Sequence, residues 1–203
     1  SRLVAEARRR WAGSSSGLVW LEGRSLSFGR TLSYWPFIDV LKQAFGMRED
    51  DNEQLAWGKL ERGLRPLFGE RTVEVLPYIA TVLALAVPAE HDERLKYLDG
   101  MGLKRQVFLC MRHLVELQAR RAPLVLLLED WHWADQSSVE LAEHLLPLTL
   151  SVPLLMVFAT RAQPEGPVQR VRQFVSANPV ARLHDVLLAP LGPGHSSELV
   201  ANL

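Results

Sequence analysis

The sequence predicts an α/β protein built on a doubly wound parallel sheet, and three observations carry that prediction. An unbroken apolar run from Leu124 to Leu128, without polar alternation, is what a parallel strand covered on both faces requires. A second such run, Pro153 to Ala159, follows after one helical segment. Short apolar strands then alternate with helices along the chain, the pattern of parallel βαβ units. The first run ends in Glu129 and Asp130 and the second in Thr160 and Arg161. In open α/β sheets, ligands bind outside the carboxyl ends of the strands.

Taken in order, Leu3, Val4 and Ala7 fall at helical spacing, and GSSSG at 13–17 ends that helix in a flexible turn. Leu18 to Leu21 reads as a short strand, and Arg24 to Ser33 as an irregular connection. Pro36 suits the first turn of a helix from Phe37 to Phe45. Residues of about 37–100 are too many for a plain loop and read as a helical insertion, with helices at Gln54 to Leu60, Val73 to Val87 and Glu93 to Leu98. Leu103, Val107, Cys110, Met111, Leu114 and Leu117 recur at steps of three and four, giving an amphipathic helix to Arg120. The acid-tipped strand spans 124–130 and is followed by a helix from Gln136 to Leu146. The strand at 153–161 comes next, then a turn, a helix from Val168 to Ala177 and a last strand at about 183–188.

Composition narrows the function classes. The chain has 203 residues, 48% of them hydrophobic, enough for one sizeable core. Lys plus Arg and Asp plus Glu stand at 23 each, so no net field favours nucleic acid or an anionic membrane. No apolar run approaches the roughly 18 residues of a spanning helix, and the first residues lack the apolar core of a signal peptide. Cys110 is the single cysteine, which excludes an intrachain disulfide framework and fits a reducing, cytoplasmic setting. Its expected role is packing. Glu140, Glu143 and His144 fall one substitution short of an H-x-x-E-H zinc helix. No serine sits in a G-x-S-x-G elbow.

A hydrophobic strand tipped by acids is the Walker B arrangement of P-loop ATPases, in which one carboxylate holds Mg²⁺ and a neighbour handles the attacking water. The plainer reading makes Asp135 the N-cap of the following helix and leaves Glu129 and Asp130 as solvated loop residues. Beyond this one motif, LVLLLEDWHWAD at 124–135, PLLMVFATR at 153–161, GRSLSFG at 23–29 and YWPF at 34–37 together resemble the AAA-like ATPase module of STAND signalling proteins. The type is that of multidomain bacterial class III adenylate or guanylate cyclases and of large LuxR-type regulators. The resemblance covers nearly the whole chain.

It implies a P-loop NTPase-like three-layer sandwich with strand order 5-1-4-3-2 and the helical insertion. In this family the P-loop ends in Gly-Lys-Ser or Gly-Lys-Thr, so Ser1 would hold the hydroxyl position that ligates Mg²⁺. The first strand and the phosphate-binding loop would precede the residues given, and this chain alone is expected to bind ATP poorly. By the same resemblance Glu129 matches the metal acid, and Asp130 the second acid that orients or deprotonates water. Thr160 and Arg161 match the sensor position that reports the γ-phosphate. His132 either senses phosphate or is a structural loop residue, Trp131 and Trp133 are expected to anchor packing, and YWPF either flanks a base or packs the insertion.

Two functional readings remain open. One is an ATP-dependent switch using ATP or ADP and Mg²⁺, acting on other domains of the same polypeptide. Those would be a cyclase or DNA-binding output and helical repeats, with self-association and no direct nucleic-acid or membrane contact. The other is a non-catalytic ATPase-like scaffold that binds partners through exposed apolar residues of the insertion, such as Trp57, Leu64 and Phe68.

Overall fold

The computed structural model describes residues 2–12, 17–27, 33–161, 166–189 and 192. Helix α1 (Arg2–Ala12) precedes strand β1 (Val19–Arg24), after which the insertion supplies α2 (Trp35–Ala44), α3 (Glu53–Phe68), α4 (Thr72–Val82) and α5 (Ala89–Lys96). The long helix α6 (Gly100–Arg121) leads into β2 (Leu124–Glu129), followed by α7 (Gln136–Leu145), β3 (Leu154–Phe158) and α8 (Val168–Ala177). The described residues form one sheet in the order β1-β2-β3, with both pairs parallel. The fold is the α/β sandwich of P-loop NTPases.

Strand β2 lies at the centre because its sequence can lie nowhere else. Leu124 to Leu128 are all buried, Leu127 and Leu128 completely, so both faces are covered. The register sets Val19 beside Leu124 and Arg24 beside Glu129 on one side, and Leu124 beside Leu154 on the other. This arrangement brings the carboxyl ends of the three strands to one rim.

Helix α2 packs on β1 and β2, with Phe37, Val40 and Leu41 turned into the core. A close backbone approach allows it. A Cβ on Gly23 would lie 1.9 Å from the Pro36 carbonyl oxygen, so only glycine lets the first turn of α2 sit this near β1. Asn52 caps α3 by accepting from Leu55 N–H at 2.9 Å, and Ala56, Leu60, Leu64 and Phe68 line its buried face. Asp99 caps α6 by accepting from Gly102 N–H at 2.6 Å, and α6 then bridges α4 and α7.

Two sequence expectations are corrected. Residues 183–188 form no strand: the stretch is irregular, with Leu187 86% and Leu188 69% exposed. An apolar run becomes a strand only when its backbone groups find partners. In the strand order implied by the resemblance, 183–188 pairs with a strand that none of the described residues supplies. The three apolar residues expected to form a scaffold's docking surface do not supply one, since Leu64 is fully buried, Phe68 is buried and Trp57 is half-buried with its ring 5.5 Å from His91. Their spacing along α3 turns them inward against α4 and α6. No helix among the described residues is long and apolar enough to cross a membrane.

Candidate functional site

The site is built at the end of β2. Glu129 is the last residue of that strand, and its side chain is only 13% exposed. Asp130 follows in the left-handed region at φ 52°, a conformation that Asp tolerates better than most residues, and its side chain is 48% exposed. This backbone reversal ends the strand and starts a short 3-10 turn at Trp131–Trp133. The strand ends are fastened together at the same level. Ser25 N–H donates to Glu129 O at 2.9 Å, Ala159 N–H to Leu128 O at 3.0 Å and Trp131 N–H to Ala159 O at 2.9 Å.

Both acids contact Arg24, the last residue of β1. Its Nη2 lies 3.1 Å from Glu129 Oε2 and its Nε 3.5 Å from Asp130 Oδ2. The Arg24 side chain is 58% exposed, so each ion pair contributes at most about 1 kcal/mol after solvent screening. The Arg24 main chain is fixed more firmly, for its N–H donates to Asp39 Oδ2 of α2 at 3.2 Å. Burial pushes the Asp39 carboxyl above the usual carboxylate range, against the opposing pull of that bond and of Lys42.

Among the residues singled out by sequence, Ser1 lies outside the described residues. Thr160 and Arg161 stand exposed just beyond β3, on the same rim as the acids. Thr160 Oγ1 donates to Arg161 O at 3.2 Å, and Arg161 makes no ion pair with Glu129 or Asp130 among the described residues. The structure therefore brings Glu129 and Asp130 together directly and Thr160 and Arg161 onto their edge.

The WHWAD turn is mainly architectural. Trp131 is buried and meets Phe158 edge-on at 5.2 Å. His132 is also buried, its ring 5.0 Å from Trp133, and neither ring nitrogen has a hydrogen-bond partner among the described residues. Asp135 caps α7: its Oδ1 accepts from Ser138 N–H at 2.9 Å, and its Oδ2 accepts from the Ser138 hydroxyl. Of the YWPF residues, Pro36 and Phe37 are buried in the first turn of α2, and Tyr34 meets Phe108 edge-on at 6.3 Å. These aromatics pack the insertion onto the sheet.

Sequence reasoning missed Arg24, which it placed in an irregular connection. The signal was present in part, because Gly23 and Arg24 follow the apolar strand directly. What it lacked was the register that sets Arg24 opposite Glu129.

Mg²⁺ takes oxygen ligands in near-octahedral geometry, keeps several waters, and is commonly held by one or two carboxylates together with substrate phosphates. The acid pair fits that share, since both carboxylates already face a common positive charge. Among the described residues no group of three or more His, Cys, Asp or Glu side chains forms a metal site, so the remaining ligands would come from water, phosphate oxygens or groups outside the described residues. A cavity of about 270 Å³ lies between α3 and α6, lined by Leu67, Phe68, Arg71, His113, Glu116 and Leu117. None of these belongs to the strand rim.

No curated protein and no solved structure matched the chain. A family model described as the AAA ATPase domain matches residues 1–157, a span that takes in Arg24, Glu129 and Asp130 and ends within β3. With that share of its 203 residues matched, and with a parallel sheet carrying paired acids on its carboxyl rim, the chain belongs to the AAA ATPase domain family.

Proposed function

We propose that the chain is the nucleotide-binding part of an ATP-dependent regulatory switch in a multidomain signalling protein. The observation that carries this reading is the convergence of Glu129 and Asp130 at the end of the central strand. Glu129, the less exposed acid, holds Mg²⁺ together with the Ser1 hydroxyl. Asp130, the more exposed one, orients or deprotonates the attacking water. When bound, Mg²⁺ would supply neutralisation of phosphate charge. Thr160 and Arg161 read the γ-phosphate from the neighbouring strand end, where a planar cation suits spread phosphate charge.

Switching then requires that ATP and ADP favour different domain arrangements, since equal affinity for both shifts nothing. The rim supplies the difference through contacts that only the γ-phosphate makes. The partners are other domains of the same polypeptide, a cyclase or DNA-binding output among them, in the cytoplasm. The scaffold alternative loses support because Leu64 and Phe68, offered for its docking surface, are buried.

The test compares ATP hydrolysis by the full-length protein with that of its Asp130→Asn variant. A fall of about 100-fold or more is expected for loss of a general base. Equal rates would remove Asp130 from the mechanism and revive the scaffold reading.

A further inference from the structure

We propose that Arg24 is a built-in competitor for the metal: its guanidinium spans Glu129 and Asp130 when the cation is absent and swings away when the cation binds. The proposal rests on the reading of the acid pair as the metal-binding edge and adds a means of regulating it.

Three observations support the swing. First, the side chain reaches both acids at once, 3.1 Å to Glu129 and 3.5 Å to Asp130, so its charge and that of a metal at the same carboxylates exclude each other. Second, the side chain is more than half exposed, so release into solvent costs little. Third, the main chain does not have to move. Arg24 N–H is held by Asp39 of α2, and Ser25 N–H by the carbonyl of Glu129 itself. The strand thus stays paired while the guanidinium alone changes place.

Asp39 gives the device a second consequence. The residue that holds the Arg24 backbone is part of α2, the first helix of the insertion. Because Asp39 holds only the Arg24 backbone, α2 and the insertion keep their place while the guanidinium moves. In the metal-free state the single positive charge of Arg24 stands between the two carboxylates. This avoids the repulsion of neighbouring carboxylates, and the cost is a weaker intrinsic affinity for the cation.

The experiment measures Mn²⁺ binding to the full-length protein by electron paramagnetic resonance, without nucleotide, in the wild type and four variants. Arg24→Gln is expected to tighten Mn²⁺ about fivefold, the factor that corresponds to losing a screened ion pair. Arg24→Lys keeps the charge and should restore most of the wild-type affinity. Lys42→Gln removes a cation of α2 that pairs with neither acid, and should leave the affinity unchanged. Glu129→Gln should abolish the site. Unchanged or weaker binding in Arg24→Gln, or an equal gain in Lys42→Gln, overturns the competitor. Mn²⁺ binding that ignores Glu129→Gln, or no binding to any of the five proteins, instead overturns the metal site, and the competitor with it.

Discussion

The backbone N–H of Tyr34 donates to Asp135 Oδ1 at 3.4 Å, so a single carboxylate both caps α7 and touches the entrance of α2. Tyr34 takes up a left-handed conformation at φ 64° to make that entrance, a strained choice for an aromatic residue. The acid-bearing turn and the insertion are thereby joined by one side chain that is 8% exposed.

Removing that carboxylate should loosen both elements together. Asp135→Ala is expected to cost about 1–2 kcal/mol, the usual loss for an N-cap, read as a lowered midpoint in guanidinium denaturation. Asp135→Asn keeps an acceptor and should cost less. If the two variants prove equally stable, the cap contributes nothing beyond its volume.

Gly23 should tolerate no side chain. With its added Cβ 1.9 Å from the Pro36 carbonyl, Gly23→Ala has to push α2 off β1, at a cost of about 3 kcal/mol or with failure to fold. A variant as stable as the parent in thermal unfolding would mean that α2 packs less closely than the structure shows.

Acid should weaken the fold through His144. Burial lowers its imidazole below the ordinary value of 6.5, and the nearby Arg112 charge acts in the same direction. The folded protein therefore binds this proton less readily than the unfolded chain. The contribution is complete above pH 6.5 and is lost as pH falls through the lowered value. In urea titrations at pH 7.5 and at about pH 5, His144→Gln should show a smaller drop in stability than the wild type. Parallel drops would assign the acid sensitivity to other groups.

Cys110 should be chemically silent in the native protein. Burial pushes its thiol up to about 11, against the lowering influence of Arg71. At pH 8 the thiolate fraction is then about one in a thousand, and access is closed as well. A thiol reagent should modify it only as fast as the protein unfolds. Rapid stoichiometric labelling without loss of circular dichroism would contradict this.

Those parts of the fold governed by local pattern could be read from the chain alone. The unbroken apolar run at 124–128 announced a central strand, and the spacing of Val107, Cys110, Met111 and Leu114 announced α6. Features that depend on partners distant in sequence were harder to read. The helix predicted at 54–60 runs on to Phe68, burying Leu64 and Phe68 and seating the Phe45 ring against Gly63, a fit no periodicity reveals. The apolar residues at 183–188 looked like a strand because composition records hydrophobicity and is silent about the presence of a paired neighbour. At the candidate site, the acids stood out by their position after the apolar run. Arg24 acquired its meaning only from a register across 105 residues.

The left-handed backbone at Asp130 decides which genetic experiments on this residue can be interpreted. Asparagine accepts that geometry readily, whereas alanine, valine or leucine would add a conformational penalty of about 1–2 kcal/mol to whatever the missing charge does. An alanine scan across the rim would therefore mix lost stability with lost reactivity at this codon, whether or not its carboxylate ever meets a water molecule. Only replacements that keep the bend separate lost reactivity from a misshapen turn.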